Sequence, residues 1–207
     1  MSGTKRLMGA ATDGLSGADE LTRGSTVLLL ASCLEHQGQE ACRDLLTVDT
    51  ADRLNVIYLT FTRAGKSNLN WRETDSHPTP DQVVVIDATP GPTRTPTVSI
   101  DGVETERVGS PGNLTKIGVA VSKHCKEFEG DGTTVVCLRS LTALLQYVDF
   151  DTAYRFLNAV ANQLASVGAI GHCHIDPDAH SAQELGGLRT LFDAVVAVDG
   201  GNEPILE

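Results

Sequence analysis

Six short apolar runs limit what this chain can fold into. They are Thr26–Ser32 (TVLLLAS), Asn55–Thr62 (NVIYLTFT), Gln82–Asp87, Thr133–Leu138, Ala169–Ile175 and Ala194–Val198, each of strand length. Most are apolar at successive rather than alternate positions, so both faces of each strand must be covered. Helical patterns lie between several of them. Gln39–Leu46 sets Ala41, Cys42, Leu45 and Leu46 on one side. After Ser110-Pro111-Gly112-Asn113, the residues Leu114, Ile117, Val121, Cys125 and Phe128 recur at three- and four-residue steps. Asp149 to Thr152 can cap a long helix reaching about Ser166, with Ala153, Phe156, Leu157, Val160 and Leu164 on its apolar face and Gly168 as its stop. Strands alternating with helices from Thr26 to Val198 predict an α/β fold, a doubly wound, mainly parallel sheet with helices on both faces.

Around this core we expect a flexible arm at residues 1–23, one domain at 24–200 and a tail at 201–207. Residues 63–81 are polar, with a short helix expected near Trp71; packing is the ordinary role of such a Trp, and a partner contact is the other. In residues 89–109 a proline-rich stretch leads into VSIDGVETERV, whose alternation about Asp101-Gly102 predicts a small exposed β-hairpin, an excursion on the surface.

Composition narrows the function classes. The net charge of −11 argues against a nucleic-acid partner, because phosphate binding depends on clustered Lys and Arg. The apolar runs are far too short to cross a bilayer, so no membrane partner is expected. The five cysteines lack paired spacing and read as reduced, buried small hydrophobes. With no secretory pattern at the N-terminus, the expected compartment is cytoplasmic.

The segments VVCLRSLTALLQYVDFDTAYRFLNAV and GHCHIDPDAHSAQELGGLRTLFDAVV, in this order of strands and helices, resemble the RecA/KaiC-like branch of the P-loop ATPases. Within it the chain looks most like small haloarchaeal relatives of uncharacterised role. The resemblance covers roughly residues 25–199. It implies a RecA-like three-layer sandwich, ATP as ligand, and three pieces of machinery that can be sought by residue.

None of the three is present. A phosphate loop needs G-x-x-x-x-G-K-[ST], whose backbone N–H groups wrap the phosphates while Lys neutralises charge. The matching stretch, Ala31 to Glu40, has one glycine, no lysine, and carboxylates at Glu35 and Glu40. Where the family places a water-polarising glutamate, after the second strand, the chain has Thr62-Arg63. Where it places the magnesium-binding acid, at the tip of Thr133–Leu138, the residue is Arg139, followed by Ser140. We expect no catalytic residues and no cofactor, and a vestigial nucleotide cleft formed by Ser32, Glu35, Gln37, Gly38, Arg63, Arg139 and Ser140. Arg139 would pair with Glu35 or another acid there; the other reading is that it binds an anionic ligand, ATP or another nucleotide held without the usual magnesium site.

Other constellations are weaker. His172, His174 and Asp176 share one face of their strand, with Cys173 pointing the opposite way and His180 four residues on. They could hold zinc, which would suit a zinc-dependent hydrolase, although hydrogen-bonded histidines at a cleft rim are the plainer reading. Ser140 with His174 and Asp176 lacks the G-x-S-x-G elbow of a nucleophilic serine, and Ser140 reads instead as a helix N-cap. Ala64-Gly65-Lys66-Ser67 follows the wrong strand for a phosphate loop. Leu141, Leu144, Leu145 and Tyr147 form a run apolar nearly all round, suited to a deep helix or to side-by-side assembly. The reading that results is a non-catalytic RecA/KaiC-like regulatory or scaffolding protein, a pseudo-ATPase acting through a protein partner or homo-oligomer, with signal transduction as one setting. The alternative is a nucleotide-binding switch or a partner subunit of an active ATPase.

Overall fold

A computed structural model describes residues 22–31, 36–46, 53–63, 79–92, 97–100, 103–198 and 205–206. The expected arm at 1–21, the segment around Lys66 and Trp71, and most of the tail lie outside the described residues.

The apolar runs become strands β1 (Thr26–Leu30), β2 (Leu54–Thr60), β3 (Gln82–Asp87), β6 (Thr133–Arg139), β7 (Ile170–Ile175) and β8 (Ala194–Ala197). With β4 (Thr97–Ile100), β5 (Val103–Arg107) and β9 (Ile205–Leu206) they form one sheet in the order β4-β5-β3-β2-β6-β7-β1-β8-β9. Every pairing from β5 across to β8 is parallel, and β4 and β9 close the two edges antiparallel. The doubly wound, mainly parallel sheet read from the sequence is the fold.

Two expectations change. The hairpin β4–β5 is no surface excursion: β5 pairs in parallel with β3, and Thr105 and Val108 are buried. The alternation in this stretch is that of a strand with one face in the core, which a free hairpin would also show, so sequence alone could not separate them. Within the expected tail, Ile205 and Leu206 pair with Ala197 and Val196.

Five described helices complete the chain: α1 (His36–Leu46), α2 (Leu114–Glu127), α3 (Leu141–Leu144), α4 (Phe150–Val167) and α5 (Ala182–Arg189). Their ends follow local chemistry. Asn113 Oδ1 accepts from Lys116 N at 3.1 Å to start α2, and Asp149 Oδ1 accepts from Thr152 N at 2.8 Å to start α4. Gly168, at φ 68°, ends α4 in the left-handed conformation. The buried residues of α4 are Ala153, Phe156, Leu157, Val160 and Leu164, the face read from spacing. Burying each larger one contributes about 1.5–3 kcal/mol. The apolar run after β6 yields only a four-residue helix, with Leu141 and Leu144 buried and Tyr147 half exposed.

The sheet divides two cores. One holds Leu28, Ile57, Leu59, Ile86, Val136, Leu138 and Ile175 against α2 and α4. The other holds Val27, Leu29, Val56, Tyr58, Val135, Cys137 and Ile170 against Ala41, Cys42, Leu45 and Leu46 of α1. Odd and even positions of the same strands serve opposite layers, as parallel strands covered on both faces require. No described helix is long and apolar enough to cross a membrane.

At the N-terminal ends of β2 and β6, Asp131 collects polar partners. Its Oδ1 accepts from Arg53 Nη1 at 3.0 Å, its Oδ2 from Gln82 Nε2 at 3.0 Å and its carbonyl from Asn55 Nδ2 at 2.6 Å. Gly132 follows at φ 102°, so close to Arg53 that an added Cβ would collide with the Arg53 carbonyl oxygen. That carbonyl accepts from Thr133 N at 2.8 Å and fixes where β6 begins. Gly132→Ala is therefore expected to cost about 1–3 kcal/mol, from the disfavoured φ and the lost approach. Urea unfolding checks this: the midpoint should fall with an unchanged slope, and an unchanged midpoint would contradict it.

Candidate functional site

In an open α/β sheet ligands gather beyond the carboxyl ends of the strands, where neighbouring strands send their connections in opposite directions. Here β2 leads towards β3 on one side and β6 towards β7 on the other, so the switch point lies between β2 and β6. Thr60 and Arg139 are in register there, and Phe61 N donates to Arg139 O at 3.2 Å. The Arg139–Ser140 peptide bond is cis. Arg63 and Arg139, singled out from the sequence, thus both stand at this crevice.

Their environments differ. Arg63 is exposed, whereas Arg139 is 5% exposed, with the Tyr58 phenol among its neighbours. Burial pushes the Tyr58 phenol upward, as do the nearby Cys137 and Cys42, so it stays neutral. Glu35, the expected partner of Arg139, and Ser32 lie outside the described residues. Gln37 and Gly38 fall within the first turn of α1, so Gly38 belongs to a helix and not to a phosphate-wrapping loop. Ser140 is the N-cap of α3, its Oγ accepting from Ala143 N at 3.4 Å, as the sequence suggested.

One strand-tip acid was not anticipated. Asp87 ends β3 beside Thr60 and is 2% exposed. Its Oδ1 accepts from Thr89 N at 3.0 Å and Thr89 Oγ1 at 2.6 Å, and its Oδ2 lies 3.7 Å from Arg107 Nε. The carboxylate is spent on closing a turn and holding an arginine.

Beneath the crevice, on the α1 side of the sheet, sits a second group. Cys137 and His172 are in register on β6 and β7 and share a face, His174 is two residues along the same face, and α1 lays Cys42 over them. Cys42 Sγ is 4.0 Å from Cys137 Sγ and 3.6 Å from His172 Nε2, and the two imidazoles stand 5.3 Å apart. One donor atom from each of the four residues fits within 4.8 Å of all the others. Their exposures are 2%, 0%, 1% and 0% for Cys42, Cys137, His172 and His174.

The electrostatics are uneven. Burial raises the Cys42 thiol, but the hydrogen bond with Cys137 and the nearby histidines outweigh it, leaving Cys42 well below the usual thiol range. Cys137 moves the other way, raised by burial and by its neighbour Cys42. Burial lowers His174 and keeps it neutral. Both ring nitrogens of His174, and Nδ1 of His172, are buried without a hydrogen-bond partner among the described residues.

The alternative ligand set read from the sequence, His172, His174 and Asp176, comes together only in part. His172 and His174 come together, and Cys173 does point into the opposite core. Asp176 does not join them: its Oδ1 accepts from Asp178 N at 3.1 Å and caps the 3-10 turn Pro177–Ala179. His180 faces Thr142 Oγ1 at 3.1 Å. Cys42 and Cys137 stand in their place, buried as expected but as polar partners and not only as small hydrophobes.

Known proteins place the fold and leave the role open. No functionally curated protein matches the chain. A KaiC-like protein, PH0186, from Pyrococcus horikoshii OT3 superposes with a TM-score of 0.58 at 11% identity, covering 99% of this chain and 86% of that one. The structure of PH0250 from the same organism superposes with a TM-score of 0.57 at 16% identity, covering 88% and 85%. At such identities the likeness is one of fold, which is RecA/KaiC-like. Residues 24–198 match the model of a family of unknown function, DUF7504, and the chain belongs to that family.

Proposed function

We propose that this chain is a non-catalytic RecA/KaiC-like protein, a pseudo-ATPase that works by protein–protein contact in a regulatory or scaffolding role. The observation behind this reading is Arg139, buried at the tip of β6 beside the β2/β6 switch point. A magnesium–triphosphate site needs an acid at such a point, to hold the metal that neutralises developing charge on the phosphates. A buried guanidinium repels that metal. The Ala31–Glu40 stretch adds the same sense, with no lysine for the phosphates. Asp87, the acid on the adjacent strand tip, is engaged by Thr89 and Arg107.

Contact as the mode of action draws support from apolar side chains left in solvent. Val119 on α2 is 63% exposed and Tyr147 after α3 is 51% exposed. The alternative, a nucleotide held without magnesium, draws on the exposed Arg63 beside the crevice. A titration separates the two.

Thermal unfolding of the purified chain in millimolar ATP, with and without magnesium, is expected to leave Tm unchanged. A rise of several degrees with ATP alone would favour the alternative, and a rise that requires magnesium would defeat the proposal. Replacing Arg139 with Leu should lower stability by about 1–3 kcal/mol, because the buried polar groups that meet the guanidinium lose their partner. Chemical denaturation reads that loss; a neutral outcome would mean the arginine has no structural role at the strand tip.

A further inference from the structure

We propose that Cys42, Cys137, His172 and His174 form a four-coordinate zinc site that fastens α1 to the middle of the sheet. Zinc bonds of about 2.3 Å to sulfur and 2.0–2.1 Å to nitrogen, at tetrahedral angles, separate two sulfurs by about 3.8 Å and a sulfur from a nitrogen by about 3.6 Å. The Cys42–Cys137 and Cys42–His172 separations are 4.0 and 3.6 Å. A shell in which all four donors lie within 4.8 Å of one another needs little adjustment to close on an ion.

The donor chemistry selects the ion. Two sulfurs and two imidazoles suit zinc, whereas magnesium and calcium require oxygen. Binding displaces the two thiol protons to solvent, forms two Zn–S and two Zn–N bonds, and leaves a centre with no net charge. Such a centre is compatible with a core that excludes water.

A second observation points the same way. Three of the four ring nitrogens of His172 and His174 are buried with no partner among the described residues. Leaving a buried polar group unsatisfied is destabilising. A core that only needed filling would carry Val or Leu at these inward positions, as at the neighbouring Val27 and Leu29. A metal bound through His172 Nε2 and one nitrogen of His174 takes up a His174 nitrogen that nothing else among the described residues meets, and so gives the pair a reason to be there.

With four protein ligands, all at most 2% exposed, the site has no open position for water or substrate. Its role is to hold structure and not to hydrolyse. The ligands come from α1 and from the paired strands β6 and β7, so the ion ties to the sheet a helix that packs on this face through its side chains.

The test uses the full chain purified without a histidine tag. Elemental analysis should find one zinc per chain, and apo protein reloaded with cobalt should show the intense visible bands of a tetrahedral site together with a near-ultraviolet thiolate-to-cobalt band. Cys137→Ser and His174→Asn should each weaken metal binding by about tenfold or more. Cys125→Ala, in the opposite core, should leave it intact. If the ligand variants do not fold, the cobalt spectrum of the unaltered chain decides. Substoichiometric zinc with no thiolate band would overturn the proposal. So would undiminished binding by Cys137→Ser, or a Cys42–Cys137 disulfide forming in place of metal uptake. None of these readings depends on whether the crevice above binds ATP.

Discussion

Strand β6 is the constraint on which the rest of this structure depends. All seven of its residues are buried; it is hydrogen-bonded on both sides, to β2 and β7, and covered on both faces. A parallel strand in that position cannot reach its neighbours by hairpins, so the chain must leave the sheet and return through helices. The two cores follow, as does the gathering of all parallel strand tips at one end. The same burial makes polar residues on β6 expensive. After Thr133 and Thr134 its polar residues are Cys137, which meets the Cys42 thiol at 4.0 Å, and Arg139, which lies near the Tyr58 phenol.

What could be read from the sequence was what depends on neighbours along the chain. The apolar face of α4 from Ala153 to Leu164, its Asp149 cap and Gly168 stop all rest on spacings of a few residues, and all three are as read. The strand runs were legible because continuous apolar stretches have few other uses. The β4–β5 hairpin was recognised as a hairpin, but its docking on β3 is set by a register between Val84 and Glu104 that no local pattern encodes.

The thiol–imidazole cluster was half legible for the same reason. Alternation places His172 and His174 on one face, and the next potential ligand on that face along the chain is Asp176. The residues that complete the group are 95 positions apart in the case of Cys42 and Cys137, and 130 in the case of Cys42 and His172. Only the order in which the strands assemble makes them neighbours. Asp176, adjacent in sequence, instead serves a local turn. Arg139 was legible as an anomaly, but its surroundings were not. Tyr58 reads as one more apolar residue in NVIYLTFT, and it nears Arg139 only because β2 lies beside β6.

The borders of the sheet carry a consequence for how molecules of this kind could meet. Running seven strands in one direction, the sheet then reverses at each side, with four residues in β4 and two in β9. A strand brought in from outside would find only a few backbone groups to bond at either rim, too few to hold two molecules in a continuous sheet. Among the described residues, lateral growth by strand addition is thus blunted at both ends of the sheet.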